Sequence, residues 1–234
     1  DAYIAQYSAR DLKRPHIAAK VAQLLLDNAR PHDALDVLTA ADQNAAATGK
    51  TEWDATYIKC LLELDRVEDA QDHRWTYFQE TLDVQTLRDY LKVLPDFEDM
   101  EFEETAKGHA LQFYDIVAAL TFFIEWPDHA LAARLVEARI NELDGDLYNI
   151  LTPAAESLRD KQPLAAVLLW RSMINHTLWE GRNSRYGHAV DHLMDCAAAD
   201  MELTDYGTRQ THEQYLNGLR LQHKHKSSFW AKLA

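Results

Sequence analysis

Two ten-residue stretches, offset by 36 residues, decide the fold: Leu25-Leu26-Asp27-Asn28-Ala29-Arg30-Pro31-His32-Asp33-Ala34 and Leu61-Leu62-Glu63-Leu64-Asp65-Arg66-Val67-Glu68-Asp69-Ala70. Leu, Leu, Arg, Asp and Ala coincide in the two copies, and an acidic residue matches an acidic residue at the third position. Each copy has the pattern of a helix end, a tight polar turn and the start of another helix. A repeat of this period predicts helix pairs that stack on their neighbours along the chain.

The first copy also has the residue sizes of a tetratricopeptide hairpin, in which small residues let paired helices approach and large residues fill the space between them. The residues at these positions are Ala22, Leu25, Ala34, Leu38 and Ala41. Fainter echoes of the turn follow at 126–131 and 162–166. We therefore predict an all-α fold of tetratricopeptide-like antiparallel hairpins, stacked into a right-handed α-α superhelix. From Leu164 onward we expect a more compact helical bundle at the C-terminal end.

Composition agrees with helices and excludes several classes of partner. Hydrophobic residues make up 47% of the chain and charged residues 26%, with 7 Gly and 6 Pro, which favours a packed helical core. The net charge of −14 repels phosphate backbones and anionic lipid, so we expect no nucleic-acid partner and no membrane partner. The longest apolar run, from Ile116 to Trp126, is too short to span a bilayer and predicts a buried helix.

We predict a single helical domain over residues 1–234, with a possible subdivision into regular hairpins at 1–95 and a helical bundle at 96–234. The chain begins at Asp1 without a signal segment, so we expect it to be the C-terminal part of a longer protein. Cys60 and Cys196 lie in predicted helices beside apolar residues. Free thiols in a reducing cytoplasm are the simplest interpretation, although the sequence does not exclude a disulfide.

Apolar spacing and stop signals predict twelve helices. They lie near 14–28, 32–42, 51–64, 67–80, 84–93, 98–107, 111–125, 128–142, 153–160, 164–180, 185–202 and 211–222. Residues 44–50 are predicted to form a loop. Gly145 is expected to end a helix in the left-handed conformation, and Ser184 is expected to be the N-cap of the helix that follows it.

Two charged segments each leave two interpretations open. Six acidic residues fall within the segment from Pro95 to Glu104. They form either a solvated helix face, with a side that packs through Phe97, Met100 and Phe102, or a patch for a cation or a basic peptide. The basic segment 223–226 contacts either an anionic partner or the acidic body of its own chain. The aromatic pair that follows it, Phe229 and Trp230, is expected to dock the tail.

His188 and His192 lie one helical turn apart, and Asp195 continues the same face. A metal ion could use two imidazoles and a carboxylate at this spacing, but Ala189 follows the first histidine where the zincin motif needs an acid. A polar face of an amphipathic helix explains the same residues without an ion. We therefore predict no metal site and no cofactor.

The sequence contains no catalytic motif. No serine lies in a Gly-x-Ser-x-Gly turn, neither cysteine has a catalytic signature, and Gly49-Lys50-Thr51 lacks the upstream glycine of a phosphate loop. We therefore predict no catalytic residues and favour a function other than that of an enzyme.

Arginine and tyrosine on the inner helices of a curved stack can recognise a peptide carboxylate or an acidic motif. The candidate residues are Arg74, Arg171, Arg182, Arg185 and Tyr186, together with His188 and His192. We predict a cytoplasmic protein-interaction module with a protein or peptide partner. The first alternative is a small-ligand or metal-binding sensor or enzyme with a site around Arg182–His192, and the second is a structural part of a larger assembly.

Several segments together resemble an uncharacterised bacterial family, a domain of unknown function. They are Leu91-Lys92-Val93-Leu94-Pro95-Asp96-Phe97-Glu98-Asp99, Leu151-Thr152-Pro153-Ala154-Ala155-Glu156, Pro163-Leu164-Ala165-Ala166, Ser184-Arg185-Tyr186-Gly187-His188-Ala189 and Phe229-Trp230. The resemblance covers about Leu24 to Trp230 and implies a helical-repeat fold with a missing N-terminal part. The helical pattern of this family is similar to that of repeats that accompany SWIM-type zinc fingers. This chain, however, lacks the ligands of such a finger. The resemblance implies no activity and no catalytic residues.

Overall fold

In each copy of the repeated stretch a helix begins at the residue after the arginine, at Pro31 in the first copy and at Val67 in the second. The computed structural model describes residues 7–42 and 49–233, and within them it is all-α, with thirteen α-helices and no strand. The first five helices are α1 Pro15–Asp27, α2 Pro31–Thr39, α3 Lys50–Glu63, α4 Val67–Thr81 and α5 Val84–Leu91. The others are α6 Glu98–Leu111, α7 Ile116–Glu125, α8 His129–Arg139, α9 Tyr148–Leu158, α10 Pro163–Trp179, α11 Tyr186–Asp200, α12 His212–Gln222 and α13 Ser227–Leu233. Short 3₁₀ turns cover Ile140–Glu142 and Asn183–Arg185.

The chain divides into two compact units, which we call the N-terminal unit (Asp1–Phe102) and the C-terminal unit (Glu103–Ala234). In the N-terminal unit, α1 packs on α2 and α3, α3 packs on α4, and α4 packs on α5. Buried alanines at positions 18, 22 and 34 let α1 and α2 approach, while Leu38 and Trp53 fill the space around them.

The two copies of the repeated turn have the same local structure. Arg30 Nε donates to Asp33 Oδ2 at 2.6 Å, and Arg66 Nε donates to Asp69 Oδ2 at 2.7 Å. In both copies the backbone N–H of the arginine donates to the carbonyl of the leucine five residues earlier at 2.9 Å. The residue before each arginine, Ala29 or Asp65, has a positive φ. The sequence match therefore corresponds to one turn geometry used twice.

In the C-terminal unit, α10 is the central helix. It packs on α8, α9 and α11, while α7 packs on α8 and α9, and α11 packs on α12 and α13. Eleven of its residues are buried, including Trp170 and Arg171, because neighbours cover most of its circumference. The predicted tail docking is observed, since Phe229 on α13 is fully buried.

Two predicted helix starts were wrong, and one helix was not predicted. The helix predicted at 153–160 begins at Tyr148, because buried Leu151 extends the packed face upstream of Pro153. The helix predicted at 111–125 begins at Ile116, because the Asp115 side chain caps it by accepting from Val117 N at 2.8 Å. Helix α13 was not predicted, since two turns are too short for a clear apolar period.

Two turn assignments were also wrong. Gly145 does not have a positive φ. Ser184 lies inside the 3₁₀ turn Asn183–Arg185 that follows Gly181, so the N-cap of α11 is Arg185, with no side-chain hydrogen bond. Phe97 and Met100 are exposed rather than packed, whereas Phe102 packs as predicted, with its ring against those of Trp75 and Tyr90. Of the predicted loop 44–50, residues 44–48 lie outside the described part of the chain.

Both cysteines are free and buried, which resolves the disulfide left open by the sequence. Burial raises the pKa of the Cys196 thiol to about 12, so this thiol is protonated and unreactive at neutral pH. The described helices include none that combines the length and apolar character needed to cross a membrane.

Candidate functional site

The predicted recognition residues do not form one surface. Arg74 belongs to the N-terminal unit, where its Nη1 donates to Gln71 Oε1 at 2.6 Å. The remaining six belong to the C-terminal unit. Tyr186 is only 2% exposed there, and its ring packs edge-on against Phe229 with centroids 5.7 Å apart. This ring is part of the core and does not line an exposed surface.

Arg182 and Arg185 converge on one carboxylate. Their Nη1 atoms donate to Asp146 Oδ1 at 2.9 and 2.7 Å, and the Arg185 guanidinium lies 4.2 Å from the centroid of the Tyr148 ring. Partial burial raises the pKa of Asp146, but the charges of Arg182 and Arg185 outweigh it and lower the pKa overall. The two arginines therefore share one counter-charge within the fold.

The two histidines of the sequence motif have different surroundings. His188 is exposed, whereas His192 is 8% exposed, with its Nδ1 lacking a hydrogen-bond partner and lying 3.9 Å from Asp195 Oδ2. Burial lowers the pKa of His192, and the charge of Asp195 opposes this only in part. Within residues 7–42 and 49–233, no group of three or more His, Cys, Asp or Glu side chains is arranged to hold a metal ion.

We expect His192→Gln to reduce the dependence of stability on pH. A histidine whose pKa is lower in the folded state stabilises the fold while it is neutral, and this contribution is lost as the pH falls through the unfolded pKa of about 6.5. The wild-type free energy of unfolding, measured by urea titration between neutral pH and pH 5, should therefore fall more steeply than that of His192→Gln. The matched control is His225→Gln, a change of an exposed histidine of the same unit, which should follow the wild type; a wild-type profile that His192→Gln leaves unchanged would contradict this.

Arg171 differs from the other predicted recognition residues in its surroundings. It is 6% exposed on α10, and its Nη1 donates to the Gln210 carbonyl at 2.7 Å. Its guanidinium lies 4.5 Å from the Tyr215 ring centroid and 5.5 Å from that of Tyr206. The Nε and Nη2 atoms are closed to solvent and have no hydrogen-bond partner, and the buried Cys196 thiol lies beside the guanidinium. No carboxylate lies within 4 Å of it among the described residues.

Arg171 lines a cavity of about 600 Å³ inside the C-terminal unit, which we call the arginine cavity. Its walls come from α10, the turn 140–145 and the segment 208–210. Arg209 also lines it, and its Nη2 donates to the Glu137 carbonyl at 2.5 Å. This second guanidinium likewise has no carboxylate within 4 Å in the described chain. The cavity therefore holds two arginines whose charge is not matched by a nearby carboxylate.

One acidic residue, Asp144, lines the same cavity. Its Oδ1 accepts from the Asp146 backbone N–H at 2.9 Å and lies 3.4 Å from His176 Nδ1. The carboxylate is thus directed to its own turn and to His176. An anion that enters the cavity meets an excess of positive charge, which suits a carboxylate or a phosphate.

Gly145 brings the turn 140–145 close to α10. A Cβ at this position would lie 2.7 Å from His176 Cβ and closer still to the Ser172 carbonyl oxygen. Any other residue would push the turn away from the helix. The close approach, rather than a left-handed φ, is what this glycine provides.

A second cavity of about 330 Å³, the tryptophan cavity, adjoins the first and shares the wall residues Asn175, Gln210 and Tyr215 with it. Trp179, 76% exposed, lies on its other side. No Asp, Glu, Lys or Arg lines it. His223 does, and burial lowers the pKa of His223, so this wall is uncharged at neutral pH.

Sequence reasoning named Arg171 but missed Arg209 and the tryptophan cavity. Arg209 lies in a polar segment without periodicity, 38 positions after Arg171, so only the folded chain brings the two together. Tyr206 and Tyr215, on either side of that segment, are the one local feature that could have drawn attention to it.

Comparison with known proteins places the chain by family. A search of curated proteins and a search of solved structures returned no match. A family model, described as a family of unknown function (DUF6880), matches residues 1–232. The sequence resemblance to an uncharacterised family is thereby confirmed. Because the match covers almost every residue, the chain belongs to the family of unknown function DUF6880.

Proposed function

We propose that the chain is a non-catalytic binding module that recognises an acidic segment of a partner protein in the arginine cavity. One observation carries the proposal: two guanidinium groups, Arg171 and Arg209, line one cavity with no carboxylate partner among the described residues. They do so in a chain whose net charge is −14.

A buried cation without a counter-charge is destabilising, and a bound carboxylate would offset that cost. Arginine suits this role because its planar guanidinium can donate two parallel hydrogen bonds to one carboxylate. The Tyr215 ring lies 4.5 Å from the Arg171 guanidinium and helps to fix the position of that guanidinium. The overall negative charge disfavours anions elsewhere on the surface, so it favours binding confined to this cavity.

We further propose that the helices of the N-terminal unit, joined by the repeated turn, form tetratricopeptide-like hairpins that stack in a right-handed arrangement. The equal geometry of the turns at Arg30 and Arg66 and the packing of each helix on its successor support this. Two free, buried thiols are in keeping with a reducing cytoplasm.

The alternative site around Arg182–His192 is less well supported. Asp146 already accepts hydrogen bonds from Arg182 and Arg185 and offsets part of their charge, and Tyr186 is in the core. His192 is buried and His188 is exposed, so the two imidazoles have different surroundings.

Fluorescence polarisation of a labelled peptide tests the proposed function. The probe is the hexapeptide Gly-Ser-Glu-Phe-Glu-Phe with a free C-terminus, and its neutral counterpart has Gln for Glu and a C-terminal amide. We expect the acidic peptide to bind more tightly than its neutral counterpart. Arg209→Gln should weaken binding of the acidic peptide about tenfold, which corresponds to the loss of one charged hydrogen bond. Added salt should also weaken it.

The matched control is Arg134→Gln, because Arg134 is an exposed arginine of the same unit that lines neither cavity. This variant should bind like the wild type. Equal binding of the two peptides, or equal weakening by Arg134→Gln and Arg209→Gln, would show that the arginine cavity is not the recognition site.

A further inference from the structure

We infer that the C-terminal unit binds the free carboxyl end of a protein chain whose last residue has an aromatic side chain. The α-carboxylate would enter the arginine cavity, and the side chain would enter the tryptophan cavity. This inference rests on the proposed function and names the chemical class of its ligand.

The two cavities form one site with unequal ends. They share Asn175, Gln210 and Tyr215, so a ligand group in one lies beside a group in the other. One end carries the two arginines, whereas the other has no Asp, Glu, Lys or Arg in its lining. A ligand with a negative group directly next to an apolar group matches this arrangement, and a uniformly acidic segment does not.

The burial of Arg171 favours a chain end over the middle of a chain. Since this residue is 6% exposed, a carboxylate must enter the cavity to approach it. A Glu or Asp side chain is joined to a backbone that has to leave in both directions. A terminal carboxylate enters with a single strand behind it.

The tryptophan cavity fits an aromatic side chain. The Trp179 indole is 76% exposed and meets the His223 ring edge-on, with centroids 5.5 Å apart. Trp230 Nε1 donates to the His223 carbonyl at 2.9 Å and fixes that residue. A further aromatic ring can pack on the open indole face, which aromatic pairs favour.

Asn175 stands between the two ends. Its Oδ1 accepts from the Tyr215 hydroxyl at 2.8 Å, and its amide NH₂ group has no protein partner in the described residues. This donor is positioned for a carbonyl oxygen of the ligand backbone just before the carboxylate.

Fluorescence polarisation with four labelled peptides tests the inference. The first is Gly-Ser-Gly-Ser-Phe with a free carboxyl end, the second is its C-terminal amide, and the third is the free acid with Ala as the last residue. The fourth is the amide Gly-Phe-Glu-Gly-Ser, in which the only carboxylate is internal. We expect the first to bind best, with about tenfold weaker binding of the amide and weaker binding of the Ala peptide.

Two variants separate the ends of the site. Arg209→Gln should reduce the preference for acid over amide and keep the preference for Phe over Ala. Trp179→Ala should reduce the preference for Phe over Ala and keep the preference for acid over amide. The control is Met201→Ala, because Met201 is another exposed residue and lies outside both cavities. This variant should change neither preference.

The outcomes distinguish the inference from the proposed function. If the internal-Glu amide binds as tightly as the first peptide and depends on Arg209, the chain-end inference is wrong and the proposed function stands. If N-acetylphenylalanine, which carries the same carboxylate, ring and preceding carbonyl, competes more tightly than the first peptide, the ligand is a small aromatic acid and the chain-end inference is wrong. If binding of no acidic peptide depends on Arg209, both are wrong.

Discussion

Gly145→Ala is expected to destabilise the C-terminal unit by about 3 kcal/mol, the upper part of the range for inserting a methyl group into filled space. The added Cβ would meet the Ser172 carbonyl oxygen and His176 Cβ on α10. Neither can move alone, because α10 is packed on three other helices. Urea unfolding followed by circular dichroism measures the free energy of unfolding.

The matched control is Gly108→Ala. This glycine lies in α6, and the space that an alanine Cβ would occupy there has no neighbouring atom within 4 Å, so alanine should stabilise the helix by about 0.5–1 kcal/mol. Opposite signs for the two changes are the expected result. Two changes of similar size and sign would mean that the turn 140–145 tolerates a methyl group and does not press on α10.

Phe229→Ala is expected to destabilise the C-terminal unit by about 3–5 kcal/mol, as for other fully buried phenylalanines. Phe229 is 0% exposed, and its ring packs edge-on against both Tyr186 and Trp230. The change would leave a cavity between α13 and α11, so the tail should also become sensitive to proteases. Thermal unfolding and limited proteolysis measure the two effects.

Leu221→Ala provides the control, because Leu221 is 78% exposed on α12 and its loss should cost less than about 0.5 kcal/mol. A similar loss of stability in both variants would contradict the anchoring role of Phe229. Phe229→Leu should fall between the two, since it keeps most of the buried apolar volume.

The helical class of the fold and the repeated turn could be predicted because they depend on local pattern. Arg30 and Arg66 mark turns whose helices begin at Pro31 and Val67, within a residue of prediction. The start of α9 could not be predicted in this way. Pro153 suits a first helical turn, but the burial of Leu151 places that first turn upstream, and tertiary packing overrides the local signal.

The candidate site was only partly accessible to sequence reasoning. Arg171, Arg182 and Arg185 were named alike as recognition residues, but the fold gives Arg182 and Arg185 a shared carboxylate at Asp146 and leaves Arg171 without one. This difference depends on contacts between residues 36 and 39 positions apart. The role of Gly145 depends in the same way on a helix that follows it in the chain.

The exposure of Trp179 gives the protein its own optical reporter. Trp53 and Trp170 are 3% and 1% exposed, whereas the Trp179 indole is 76% exposed, so a collisional quencher dissolved in water reaches Trp179 far more readily than those two. Its emission should also lie at longer wavelength, because water relaxes around the excited indole. A molecule seated against this ring would shield it from the quencher and shift its emission to the blue, so occupancy could be followed without any attached dye.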